Sequence, residues 1–371
     1  MRWAFARLFS YELLMYLLKK SLNILVLGNI IRQRIGDEMV CIPMYYAIKC
    51  LYPNAKISVL TQSRILLELL KCEKQRELYV NEVLLVEDKQ KWQKLSFDIL
   101  LIVEHNNLEV LKIAQEIQAK LKIVTLSQSL LFSKQVFFYF SRYLRGMKVF
   151  INPYWSQTHS EIQRNLNLVR QINTRIFDRG FSAIDFSLAK LPILETTFWR
   201  NRSLLASLSG GGEQYSLVIG IFPFAKNMNK KANLTIDEWK FLAQSLSKEF
   251  PEVLLVFVNY PSTQYYFMPF VEKNLKVFYN QQGLEDLVAF IHSLDGILGV
   301  DSGHIHIADN ARIPILEVIA KKVSKQWSGG FYGGYFQSLQ LSANWREYEQ
   351  ENLKIFFKKA REFIIYLQNN K

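Results

Sequence analysis

Residues 294 to 320 read LDGILGVDSGHIHIADNARIPILEVIA, and the first apolar run in them ends abruptly at Asp301, Ser302, Gly303, His304 and His306. An acid, a hydroxyl and a glycine between a strand and a helix make a place for an anion. The helix start aims free amides and the positive end of its dipole at that place, and glycine lets the backbone come close. His306, three residues beyond Gly303, falls on the first helical turn and can donate a hydrogen bond to the same anion. A diphosphate would suit such a pocket, although Asp301 and Ser302 could do no more than cap the helix. A second acid, Asp37, follows Gly36 in NIIRQRIGDEMVCIPMYYAIKCLYPNAKI. At a helix start it can take a proton as a general base, or simply sit favourably in the helix dipole.

Both stretches need a strand before them and a helix behind them, and the sequence supplies these in alternation. NILVLGN, AKISVLTQ, EVLLVED, FDILLIVEH and KIVTLSQ are short β-rich runs, with helical periodicity in DEMVCIPMYYAIKCLY and NLEVLKIAQEIQAKL. Continuous apolar strands alternating with helices predict a parallel sheet covered on both faces. After TFWRNRSLLASLSGGGEQ, whose serines and three glycines predict a linker, the alternation restarts. SLVIGIFPF, EVLLVFVN, GILGV and PILEVI are the later strands. TIDEWKFLAQSLSKEF, opened by a threonine cap, and GLEDLVAFIHSL are helices. The expectation is α/β, with two doubly wound domains facing each other across a cleft and ligands beyond the carboxyl ends of the strands. ENLKIFFKKAREFIIYLQ closes the chain as an amphipathic helix that could return across the junction.

A chain of 371 residues, half of them hydrophobic, can fill two cores and is not a disordered chain. Its formal charge of +13 favours anionic partners: nucleic acid, an anionic membrane face or phosphorylated small molecules. The basic residues are scattered among apolar ones and form no recognisable nucleic-acid module, so nucleic acid is the weaker expectation. Cys41, Cys50 and Cys72 lack metal-ligand spacing and read as reduced, buried thiols of a cytoplasmic protein. MRWAFARLFSYELLMYLLKK lacks a cleavage site, and no charge-free run approaches the roughly 18 to 20 residues needed to span a bilayer. That N-terminal segment and LLFSKQVFFYFSRYLRGMKVF, residues 130 to 150, interleave basic and aromatic residues, which suits an anionic membrane interface.

Three stretches, taken in order, resemble glycosyltransferase family 9, the heptosyltransferase-type enzymes. NILVLGN through RIGDEMVCIPMYYAIKCLYPNAKISVLTQ is similar to the family's opening, with its Ile-Gly-Asp turn, proline-bearing helix and Tyr-Pro-Asn-Ala strand entry. HSEIQRNLNLVRQI, residues 159 to 172, is similar to a segment that precedes the family's linker. SLDGILGVDSGHIHIADNARIPILEVIA looks like its Asp-Thr-Gly-x-x-His signature, with serine in place of threonine.

The resemblance implies a GT-B fold of two Rossmann-like domains and an inverting, metal-independent sugar transfer from a nucleotide-activated donor, with no cofactor. Carried over, Asp37 stands at the catalytic base; Arg34 and Gly36 beside it, and His105 by its place at the carboxyl end of the FDILLIVE strand, are acceptor-side candidates. Asp301 would hold sugar hydroxyls, and Ser302, Gly303 and His306 the donor phosphates. A phosphate-binding lysine is expected in FPFAKNMNKKANLTIDEW, where Lys231 leads, then Lys230, with Lys226 also present. After EVLLVFVN the family carries glycines and a ribose-binding glutamate, whereas this chain has YPSTQYYFMP, which puts ADP-heptose in question as the donor. His304 is expected to face solvent, His159 and Arg164 to cap and pack, and His292 to have no role.

The expected layout is an acceptor-side domain over 1–195 with a basic, aromatic N-terminal helix, a linker over 196–214, a nucleotide-sugar domain over 215–349 and a closing helix over 350–371. The expected function is transfer of a sugar, heptose from ADP-heptose in the first instance, to a lipopolysaccharide or lipooligosaccharide core or related glycan. The expected location is the cytoplasmic face of a bacterial inner membrane. Use of another nucleotide sugar, or a silent nucleotide-sugar-binding scaffold, are the alternatives.

Overall fold

The computed structural model describes residues 21–31, 34–70, 76–104, 107–126, 142–151, 160–191, 193, 195–208, 215–225, 233–260, 263, 265–281 and 283–371. The chain divides into two units, Met1–Ala189 and Lys190–Lys371. Among the described residues the first holds six strands: β1 (Asn23–Leu27), β2 (Lys56–Thr61), β3 (Glu82–Leu85), β4 (Ser96–Ile102), β5 (Gln118–Leu126) and β6 (Met147–Ile151). All pair in parallel, in the order β3-β2-β1-β4-β5-β6. The second holds β7 (Leu217–Phe222), β8 (Val253–Asn259), β9 (Leu275–Tyr279), β10 (Gly296–Val300), β11 (Ile315–Ala320) and β12 (Phe336–Leu341). These too are all parallel, in the order β12-β11-β10-β7-β8-β9. Numbered from its own first strand, each sheet runs 3-2-1-4-5-6, the doubly wound order, whose switch point falls between β1 and β4 in one unit and between β7 and β10 in the other.

The helices that matter to these switch points are α1 (Ile35–Met39), α2 (Ile42–Leu51), α3 (Glu161–Arg170), α4 (Glu195–Leu208), α5 (Ile236–Glu249), α6 (Leu284–His292), α7 (Gly303–Ala311) and α8 (Glu349–Asn369). The single helix expected over 37–52 is two, because Pro43 lacks a donor and is seated in the first turn of a new helix, after the Val40–Cys41 turn. The helical run expected over 107–121 ends at Glu116, and Gln118 onward is β5, where pairing with β4 outweighs local periodicity. β6, β9 and β12 are not among the expected strands; β6 takes up the end of the basic, aromatic segment over 130–150. Capping boxes open α3, with Ser160 and Gln163, and α5, with Thr235 and Glu238.

Two boundary expectations differ from the structure. The division falls after Ala189, not at 196–214, and residues 195 to 208 of the expected linker are the helix α4. Its Thr197, Asn201 and Leu205 recur every four residues and are buried, the Thr197 hydroxyl donates to Glu285 of α6 at 3.0 Å, and Arg200 pairs with Asp286. The closing helix, expected across the junction, sinks Phe356, Ala360, Phe363, Ile364 and Leu367 into the second unit's own core beside Trp239 and Trp345. Gly296 makes room for it: a Cβ there would stand 2.7 Å from Leu367 Cδ1 and 3.1 Å from the Phe363 ring. Among the described residues no helix is long and apolar enough to cross a membrane.

Candidate functional site

At the first switch point the chain leaves β1 through Gly28, whose amide donates to Leu60 O at 2.9 Å, and enters a loop tied from β4. Glu104, just past the end of β4, accepts from the amides of Ile30 at 2.6 Å and Ile31 at 2.9 Å, and Thr61 donates to Asn29 O at 2.9 Å. The loop delivers Arg34, exposed, to the N-cap of α1, then Gly36, half-buried, and Asp37, buried in the helix. Asn165 of α3 donates to Val40 O at 3.1 Å and fixes the turn behind it. The buried Arg164–Glu161 pair, 2.5 Å apart, lies within α3 itself, and the cap of that helix is made by Ser160 and Gln163 and not by Arg164. His105, the remaining acceptor-side candidate, lies outside the described residues, as does His159.

Beside Asp37 is an acid the sequence reading passed over. Glu38 is fully buried with no hydrogen-bond partner for either carboxylate oxygen, and burial raises it to about 8. The nearby Asn29 amide works the other way, and Asp37 and Glu104 add repulsion. Glu38 is therefore largely a neutral acid at pH 7. An acid inside DEMVCIP, among apolar neighbours, was the available signal. Cys41 is buried as expected, whereas Cys50 is exposed, because it falls on the outward face at the end of α2; Cys72 lies outside the described residues.

At the second switch point β10 ends at Val300 and pairing continues one residue further, Asp301 N donating to Val318 O at 2.9 Å. Ser302 then takes the N-cap of α7 in extended backbone, yet its side chain makes no capping bond. Its hydroxyl instead meets His304 Nδ1 at 2.7 Å. Simple capping, the alternative for this turn, is thus not what Ser302 does. Asp301, Ser302 and Gly303 are partly exposed, and burial raises Asp301 to about 6. His306 is buried against Trp327, ring centroids 6.0 Å apart, and burial lowers it to about 4, so it is a neutral ring at pH 7. His304, expected to face solvent, is buried between Phe222 and Tyr260, with ring centroids at 5.0 and 5.3 Å. α7 is buried on all sides from His304 to Ala311, so both histidines are covered although, two residues apart, they lie on different faces of the helix.

Two further acids lie behind this turn. Asp309 of α7 accepts from Phe331 N at 3.0 Å and Tyr332 N at 3.5 Å, holding the glycine-rich loop 328–334, and burial raises it to about 6. Glu317, paired in register with Gly299, is wholly buried; burial, with Asp301 and Asp309 near, holds it well above its ordinary range. An acid inside the apolar run ILEVI was its signal. Lys226, Lys230 and Lys231 lie outside the described residues. His292 is lowered to about 4, by burial first and by Lys190 second, with Nε2 unpartnered.

No protein-family model and no curated protein matches the chain by sequence. Solved structures do match it in shape. A glycosyltransferase family 9 structure from Veillonella parvula is similar at 12% identity and a TM-score of 0.67, over 94% of this chain and 98% of that one. The fold is of the GT-B type. The Escherichia coli ADP-heptose lipopolysaccharide heptosyltransferase II is similar at 16% identity and a TM-score of 0.57, over 91% and 99%. An E. coli heptosyltransferase solved with ADP is similar at 10% identity and 0.54, over 89% and 99%. At such identities the likeness is one of fold. The GT-B fold explains the paired switch points: each unit carries a doubly wound sheet, and each puts one acid-bearing strand-to-helix turn at the carboxyl end of its first or fourth strand.

Proposed function

We propose that the chain is a member of glycosyltransferase family 9 and moves a sugar from a nucleotide-sugar donor to a lipopolysaccharide core or related glycan, with inversion and without a metal. The observation that carries this is the turn after β10: a partly exposed Asp301-Ser302-Gly303 at a switch point, with a serine hydroxyl that does not cap its helix, in a chain whose GT-B likeness runs nearly end to end. In this mechanism Asp37 takes the proton from the acceptor hydroxyl as its oxygen attacks the anomeric carbon, and the bond to the diphosphate breaks. Ser302, the first amides of α7 and the neutral His306 ring donate hydrogen bonds to the phosphate oxygens as charge develops on the leaving nucleoside diphosphate. Asp301 accepts from the sugar hydroxyls, and Lys231 or Lys230 neutralises the phosphates.

ADP-heptose is the first donor to try, since the similar E. coli enzymes are named for it or were solved with ADP. A different nucleotide is the second, because the loop following β8 offers no acid to a ribose from Tyr260 to Phe270. The +13 charge and the basic, aromatic segments at 1–20 and 130–150 support work at an anionic inner-membrane face, from the cytoplasmic side, on a lipid-linked acceptor. Thermal-shift screening against ADP, UDP, GDP, CMP and their sugar conjugates, with no added metal, tests the donor site. A rise in Tm with ADP and ADP-heptose is the expected result. A rise with another nucleotide reassigns the donor, and none with any of them leaves a silent scaffold and removes the transferase proposal.

A further inference from the structure

Ser302 does not stand alone. Its Oγ is 2.7 Å from His304 Nδ1, and the other ring nitrogen, Nε2, is 2.5 Å from Tyr260 Oη. The three groups form one chain, running from the end of β8 to the turn after β10. Tyr260 is set by Asn259, whose Oδ1 accepts from Tyr260 N at 2.8 Å and from the Thr263 hydroxyl at 2.7 Å, while its Nδ2 donates to Tyr265 O at 2.8 Å. The imidazole is clamped between the Phe222 and Tyr260 rings.

Such a chain has two possible directions, and they differ in what they offer a ligand. If Nε2 carried the ring proton, it would donate to Tyr260; Ser302 would then have to give its own proton to Nδ1 and present only lone pairs outward. If the phenol donates to Nε2, the ring proton sits on Nδ1 and is donated to Ser302 Oγ, which leaves the serine O–H to donate to an anion. Burial holds the Tyr260 phenol well above its ordinary range and the imidazole down at about 4, so at neutral pH both are uncharged and the ring carries one proton. Among the described residues the hydrogen-bond partner of that phenol is the His304 ring. A buried O–H is costly to leave unsatisfied, which selects the second direction.

We infer that Tyr260 and His304 are positioning residues that fix the polarity of the Ser302 hydroxyl, so that it donates to a phosphate oxygen of the nucleotide-sugar donor. This rests on the donor site proposed above. It also gives Tyr260, from the loop where no acid reaches toward a ribose, a task at the phosphate end of the donor. The order is Tyr260 O–H to His304 Nε2, His304 Nδ1–H to Ser302 Oγ, and Ser302 O–H to the anion; no bond to a heavy atom forms or breaks.

The test uses the full chain with 15N-labelled histidine, in which long-range 1H–15N spectra distinguish the two tautomers, and His304→Gln assigns the resonance. His304 is expected as the Nδ1–H tautomer at neutral pH, and an Nε2–H tautomer overturns the inference. Tyr260→Phe keeps the ring stack and removes the phenol proton, and should move the ring proton toward Nε2. It should also weaken ADP or UDP binding, whichever the wild type prefers, by roughly three- to tenfold. In a Ser302→Ala background the same change should cost nothing further. An equal loss in both backgrounds, or none in either, means that Tyr260 acts by packing alone and overturns the inference. If the wild type binds no nucleoside diphosphate, the donor site is what has failed, and the tautomer still decides the polarity of the relay.

Discussion

Three acids at or near the two switch points carry different predictions because their surroundings differ. Asp37→Ala should lower sugar transfer by roughly 10²- to 10⁴-fold, the usual worth of a general base, while the Kd for the donor stays within a factor of about two. Full turnover in that variant would remove Asp37 as the base. Asp301, raised to about 6 by burial, accepts from sugar hydroxyls more strongly, and with both oxygens, once ionised. Affinity for an intact nucleotide sugar should therefore increase as pH rises through about 6, with little change for the bare nucleoside diphosphate; calorimetry at pH values on either side of 6 separates the two. Glu38 speaks to stability. Its folded value of about 8 lies above the ordinary value of about 4.5, so the stability it contributes is full below about 4.5 and is lost as pH rises through about 8. A shift of that size is on the order of a few kcal/mol, and Glu38→Gln, which mimics the neutral acid, should flatten the decline in Tm toward pH 8. Parallel pH–Tm curves for wild type and variant would show that Glu38 is not held neutral.

Among the elements, α8 shows how strongly the second sheet depends on a segment far from its turn. Phe363 is fully buried and packs over Gly296 at the start of β10, the strand that ends at Asp301. Phe363→Ala should cost about 3–5 kcal/mol, read as a lower urea midpoint with an unchanged slope. A smaller loss would mean that the cavity collapses. The elements named from sequence were mostly those with buried faces and caps: Thr235 announced α5, and the run GILGV announced β10. Those misassigned had mixed signals. Serines and glycines masked the four-residue recurrence of Thr197, Asn201 and Leu205 in α4, and QAKL continued a helical period until β4 claimed it as a strand.

For the whole molecule, the proposed membrane role makes a prediction that charge and aromatic interleaving share. The purified protein should co-sediment with vesicles containing anionic lipid, and far less with neutral ones, and the binding should fall as salt is raised. Equal binding to both kinds of vesicle, or none to either, would leave the +13 charge to serve the phosphates alone.

The sequence by itself determined the α/β class and the places where an acid and a small residue follow a strand, because burial of both sheet faces and the strand-to-helix turn leave local marks in residue type and period. Asp37, Gly36, Asp301, Ser302 and Gly303 were legible for that reason. What only the tertiary structure decided are the relations between residues far apart in the chain. Tyr260 and His304 stand 44 positions apart and meet because β8 and β10 flank β7 in one sheet. Glu104 reaches the loop after β1 from across the switch point, and Glu317 is held well above its ordinary range because the sheet buries it, with Asp301 adding repulsion. Local pattern records which face of an element is apolar; it does not record which distant side chain that face will meet, and it is the meeting that sets a tautomer or a pKa.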